Sequence, residues 1–100
     1  MSAPKFRLEL TKPARLDFRD ILSYTSQMWG ERQLVEYKSK IDAALSAIAQ
    51  NPNIGHTQHK LLVYPAGKHL IYYRIEAATV YVVRILHERM DAARHLDDLA

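Results

Sequence analysis

The stretch HLIYYRIEAATVYVVRILH, His69–His87, decides how this chain folds. It is two apolar runs rich in β-branched and aromatic residues, His69–Ile75 and Thr79–Leu86. Such runs favour strands, and Glu76-Ala77-Ala78 between them is short enough for a hairpin connection. With the turn centred on Ala77-Ala78, Ile71, Tyr73, Ile75, Val80, Val82 and Leu86 share one face, with Arg84 as its single charge. Leu70, Tyr72, Arg74, Tyr81, Val83, Ile85 and His87 then share the other. The first set is the face expected against helices. Neither Gly nor Asn marks the turn, so a slip of one residue would exchange the two faces.

Working back from the hairpin, Leu61–Tyr64 reads as a third strand joined through Pro65-Ala66-Gly67, which makes an antiparallel meander. Further back the period changes. Leu34, Tyr37, Ile41, Ala44, Leu45 and Ile48 form the apolar stripe of a helix expected from about Glu31 to Gln50, ended by Asn51-Pro52. Ala14, Phe18, Ile21, Leu22, Thr25 and Trp29 form the stripe of an earlier helix. Thr11 can cap its start, Pro13 suits its first turn, and Gly30 can end it. With only Gly30 between them, the two helices form a hairpin. Phe6–Leu10, FRLEL, alternates as a half-buried strand does, and it joins the sheet at an edge or between strands. The expected class is α+β: an N-terminal strand, a helical hairpin, and a three-stranded antiparallel meander in one sheet packed on the helices. A short C-terminal helix or arm, Met90–Leu96, follows.

One hundred residues suit a single domain spanning the whole chain, 1–100. There are no cysteines, so disulfides and thiolate metal sites are excluded. No apolar run approaches the roughly 18 residues of a membrane span, and MSAPKFRLEL has no apolar signal region. A cytoplasmic protein without a membrane role is expected. The net charge of +3 is spread among acidic residues, with Glu88, Asp91, Asp97 and Asp98 interleaved in the basic tail. A dedicated nucleic-acid binder usually shows a less compensated stripe.

Candidate chemistry is sparse. His56 and His59 have no neighbouring carboxylate or thiolate to complete a metal site, and neither metal nor cofactor is expected. No G-x-S-x-G elbow occurs, and the three glycines are isolated, so no phosphate loop is present. Acid–base cleavage of RNA would need Tyr72, Arg74, Tyr81, His87 and Arg89 to converge on one sheet face. The competing reading has the tyrosines packing and the arginines pairing with Glu76 or Glu88.

Several short motifs occur together. Trp29-Gly30 lies between the helices, and Asn51-Pro52-Asn53-Ile54-Gly55 follows the second. Ala66-Gly67-Lys68-His69 precedes a strand, and Tyr73-Arg74 lies within it. Arg84-Ile85-Leu86-His87-Glu88-Arg89-Met90-Asp91 and Arg94-His95-Leu96 close the chain. In this order and spacing, from about Leu10 to Leu96, they resemble the ParE toxins of the RelE/ParE superfamily of type II toxin–antitoxin modules. The resemblance implies a helical hairpin on a twisted antiparallel sheet. It implies a toxin that inhibits DNA gyrase and is neutralised by a ParD-like antitoxin, in a higher-order hetero-oligomer. The RelE-like branch instead cleaves mRNA on the ribosome with a basic and aromatic cluster. Here no Phe or Tyr follows Tyr81 and lysines are few beyond Lys68, which departs from that pattern. No catalytic residue is assigned. Arg74, His87, Arg89 and Arg94 are the candidates for target binding, and Trp29, Tyr72 and Arg84 for antitoxin binding.

Overall fold

A computed structural model describes residues 6–96. Strand β1, Arg7–Leu10, leads into helix α1, Lys12–Trp29, and helix α2, Glu31–Gln50. The Thr11 side chain caps α1 by accepting from the Ala14 N–H. Gly30 takes φ 88° between the helices, a backbone region open to glycine at little cost. A 3₁₀ turn at Pro52–Ile54 follows, then β2, His56–Gln58, β3, Leu61–Ala66, β4, His69–Glu76, and β5, Thr79–His87. Helix α3, Ala92–Leu96, ends the described chain, and Asp97 and Asp98 of the expected tail lie outside the described residues.

The sheet order is β1-β5-β4-β3-β2. β1 joins at the edge, parallel to β5, which settles the placement that periodicity leaves open. The antiparallel part has four strands rather than the expected three. The segment around His56 and His59, to which the sequence assigns no element, contains β2, and His59 and Lys60 form its turn with φ 54° and 64°. A two-residue turn with both φ positive usually carries Asn-Gly, so this hairpin has no residue signature. Pro65, expected in a connection, instead lies in β3 opposite Leu70. β2 pairs only as far as Val63, so the missing N–H of Pro65 faces an open edge.

Near the Ala77-Ala78 turn the register is as expected, with Glu76 opposite Thr79 and Tyr73 opposite Val82. Then Tyr72 pairs with Arg84, leaving Val83 as the extra residue of a β-bulge. Past the bulge the expected faces exchange. Ile85 joins Ile71, Tyr73, Val80 and Val82 against Ile41, Leu45 and Ile48 of α2. Leu86 turns to the opposite side with Tyr72, Val83, Leu61 and Val63. That second side is closed by α3, whose Leu96 is 1% exposed, so both faces of the sheet are buried.

Two close contacts lock the layers together. The Tyr73 hydroxyl, fully enclosed, donates to the Pro52 carbonyl at 2.6 Å and fills the space beside Gly55. Tyr37 of α2 packs against Gly67, where a Cβ would fall 2.8 Å from its ring. The stripe of α1 departs from expectation at its end. Tyr24 and Thr25 already line a cleft with His87, the last residue of β5, so one turn later Trp29 has no sheet beneath it and is 67% exposed.

Ala77 holds φ 52° at the first position of the tight turn, a conformation that costs a non-glycine residue about 1 kcal/mol. Ala77→Gly is expected to raise the denaturant midpoint by an amount equivalent to roughly 0.5–1 kcal/mol, without changing the slope of the transition.

Candidate functional site

β1 stops opposite Val82, while β5 runs on to His87. Side chains of the first helix take over the exposed edge. Thr11 donates its N–H to the Val82 carbonyl and its hydroxyl to the Val83 carbonyl. One turn into α1, Asp17 Oδ2 accepts the Ile85 N–H at 3.0 Å. Both Asp17 oxygens also receive the Arg84 guanidinium, at 2.7 and 2.9 Å. This bidentate bond holds Arg84 above its usual pKa, against the opposing effect of burial. Arg84, expected as the lone charge facing the helices and a candidate for antitoxin contact, is thus committed to α1 within the chain.

Beyond this pair, α1 and the ends of β4 and β5 enclose an open cleft of about 420 Å³. The Asp17, Asp20 and Tyr24 side chains form one wall, and His69, His87 and Met90 the other. The bulge sets His69 directly opposite His87, with rings edge to face at 5.2 Å. His69 Nδ1 lies 2.5 Å from the Tyr37 hydroxyl, which also accepts the Lys68 N–H and reaches the Ala66 carbonyl. Burial, with a smaller contribution from neighbouring His87, pulls His69 down to about 4, and burial raises the Tyr37 phenol. At neutral pH the imidazole is uncharged and the phenol keeps its proton. His87 Nδ1 accepts the Arg89 N–H at 3.1 Å, which pins its ring.

Sequence reading did not single out Asp17, Tyr37 or His69 as a group. In the unbulged register His69 would face Leu86, and only the extra Val83 brings the two imidazoles together. The expected convergence of Tyr72, Arg74, Tyr81, His87 and Arg89 does not form. Tyr72 is 1% exposed beneath Leu96, which leaves it no free surface for the antitoxin contact proposed for it. Arg74 pairs with Glu76 at 3.4 Å and stacks over the Tyr81 ring at 5.1 Å. That position is near the β4–β5 turn, about 20 Å along the strand from His87. Arg89 and Arg94 are exposed, on and just before the arm anchored by Leu96. Trp29 stands at the tip of the helical hairpin with exposed Met28. Among the described residues no cluster of three or more His, Cys, Asp or Glu could hold a metal, and no helix is long and apolar enough to cross a membrane.

Compared with known proteins, residues 8–92 match the family described as the ParE toxin of the type II toxin–antitoxin system parDE. Toxin ParE1 of Caulobacter vibrioides is 32% identical over 91 residues, covering 87% of this chain and 94% of its own length. Toxin ParE1 of Mycobacterium tuberculosis is 33% identical over 95 residues, covering 90% of this chain and 97% of its own. A solved chain from the chromosomal ParDE TA system of P. aeruginosa superposes with a TM-score of 0.72 over 85% of this chain and 98% of that one. At 14% identity it shares the fold.

Replacing Asp17 or Arg84 by alanine strands the other's charge in a partly buried site, and each change is expected to cost about 2–3 kcal/mol. The double replacement should cost no more than about 1 kcal/mol beyond the worse single one, as a double-mutant cycle in urea would measure. For His69, the folded chain holds the proton less tightly than the unfolded chain, whose imidazole titrates near its ordinary 6.5. Its stabilisation is complete above that value and is lost as pH falls toward about 4. Urea midpoints recorded from about pH 7 to 4.5 should fall less steeply for His69→Gln than for the parent chain.

Proposed function

The chain belongs to the ParE toxin family of type II toxin–antitoxin systems, and on that footing we propose that it arrests growth by inhibiting DNA gyrase, and so replication, until a ParD-like antitoxin neutralises it. The family match over residues 8–92 carries this reading. The geometry supports binding rather than catalysis as the mode of action, because the basic and aromatic side chains do not gather over one exposed site. Tyr72 is enclosed, and Arg74 is engaged far from the histidines. A ribosome-dependent RNase would need an exposed acid–base set over the phosphate. Working on gyrase, the protein acts in the cytoplasm.

Two surfaces divide the work. Arg89 and Arg94 project from the arm that Leu96 fixes to the second core, and they offer positive charge to an acidic partner or to DNA held by one. The antitoxin takes the helical hairpin. There a groove of about 460 Å³ runs between α1 and α2 past Leu22, Leu34 and Val35, and Trp29 and Met28 stand exposed at its end. An amphipathic segment that folds on binding suits such a groove, since the apolar area it covers offsets the cost of ordering it. Dimeric antitoxins would gather the toxins into a larger hetero-oligomer.

Expression without the antitoxin should give filamentous cells with stabilised breaks in DNA and intact transcripts. Transcripts cut at ribosomal positions would replace this reading with the endoribonuclease one. Arg89→Ala/Arg94→Ala should relieve the arrest while the antitoxin still binds, and full toxicity from a folded double variant would remove the arm from the mechanism. Trp29→Ala should leave toxicity intact and weaken the antitoxin by about 2 kcal/mol, roughly 30-fold, in a titration.

A further inference from the structure

The outer side of β1 is an open edge of the sheet. Residues along a strand alternate in direction, and Arg7 and Thr11 send their N–H groups to the Ala78 and Val82 carbonyls. The backbone groups of Phe6, Leu8 and Leu10 therefore face away from β5, along the open edge of the sheet. Two of these groups are already satisfied: the Phe6 N–H bonds the Ala49 carbonyl at 3.2 Å, and the Leu10 carbonyl accepts Arg15 at 2.8 Å. Left along the edge are the Phe6 carbonyl, both groups of Leu8, and the Leu10 N–H. Edges with unpaired groups are templates for another strand.

We propose that this edge is an interface for a second copy of the chain, joined antiparallel about a twofold axis at Leu8. In that register Leu8 faces Leu8 of the second copy and exchanges two hydrogen bonds with it. The Leu10 N–H meets the second copy's Phe6 carbonyl, and the reverse bond forms by symmetry. The bonds this register would otherwise require, Phe6 N–H to Leu10 carbonyl, involve the groups already taken within the chain. The hydrogen-bonding pattern is self-complementary.

Charge agrees with this register. Arg7 and Glu9 lie exposed on the face away from the helices, 3.1 Å apart. Pairing at Leu8 sets Arg7 opposite Glu9 of the second copy and Glu9 opposite its Arg7, so four charges alternate across the seam. Any register shifted by two sets like against like or leaves a charge unopposed. On the helix side, an open groove of about 720 Å³ runs along the same edge between Phe6, Leu8, Leu45 and Ala49, with Ser46 and Asp42 at its rim. The second copy's Phe6 and Leu10 would lie beside it and cover its apolar floor. A contact this short belongs with weak, concentration-dependent associations.

The test uses the full chain, separated from its antitoxin by unfolding and refolded, in sedimentation equilibrium over a wide concentration range. The parent should pass from monomer to dimer. Glu9→Arg, which places arginines against each other across the seam, should raise the dissociation constant at least about tenfold. Arg7→Glu/Glu9→Arg, which restores opposite charges with the signs exchanged, should recover most of the loss. Circular dichroism confirms that each variant is folded. Amide exchange reads the seam directly, since Leu8 and Leu10 should gain protection with rising concentration of the chain alone. A parent that stays monomeric throughout, or equal dimerisation of all three chains, overturns the proposal. Protection of Leu8 and Leu10 that appears only on adding the antitoxin overturns it too, and gives the edge to the antitoxin.

Discussion

A strand cannot end in mid-sheet without leaving polar backbone groups of its neighbour uncovered, and β1 ends opposite Val82, the fourth residue of its nine-residue partner. Asp17 meets that constraint. Its carboxylate takes the Ile85 N–H where the next strand bond would have been, and its charge is balanced by the Arg84 guanidinium from the same strand. Thr11 covers the two carbonyls before it and also caps the helix that carries Asp17. The start of α1 is thereby fixed to β5 by polar contacts, and the apolar faces of Ala14 and Phe18 are delivered onto the sheet in a single register.

The bulge at Val83 belongs to the same arrangement. It gives β5 one more residue than β4 across the point where the edge passes from β1 to Asp17. The extra residue sends Ile85 to the helices and Leu86 to α3, so a single strand feeds two cores. It also brings His69 and His87 into register at the mouth of the cleft. One local irregularity therefore sets core packing and cleft chemistry together, in keeping with the usual placement of bulges beside functional surfaces.

The parts of this fold legible in the sequence are those governed by period and by capping. Both helices, with Thr11 at the start, Gly30 between them and Asn51-Pro52 at the end, lie where spacing puts them. The β4–β5 hairpin closes at Ala77-Ala78 as its alternation requires. What escaped was set by tertiary contact. β2 turns on His59 and Lys60 in backbone conformations that neither residue advertises, and the bulge sits just past the point where β1, from the far end of the chain, stops pairing with β5. Nothing local in the sequence marks Asp17, because its partners belong to the last strand. Of the candidate residues, Arg89, Arg94 and Trp29 are exposed, while Tyr72 and Arg84 are absorbed into the fold. A buried tyrosine and a paired arginine look the same in sequence as a free one.

The two-sided sheet has an evolutionary corollary. The hairpin groove and the arm bearing Arg94 rest on opposite faces, over separate apolar clusters that touch only through the strands between them. Substitutions that re-tailor one surface for a changed partner leave the packing beneath the other undisturbed. Changes on one face and changes on the other can therefore accumulate as separate histories on one small scaffold.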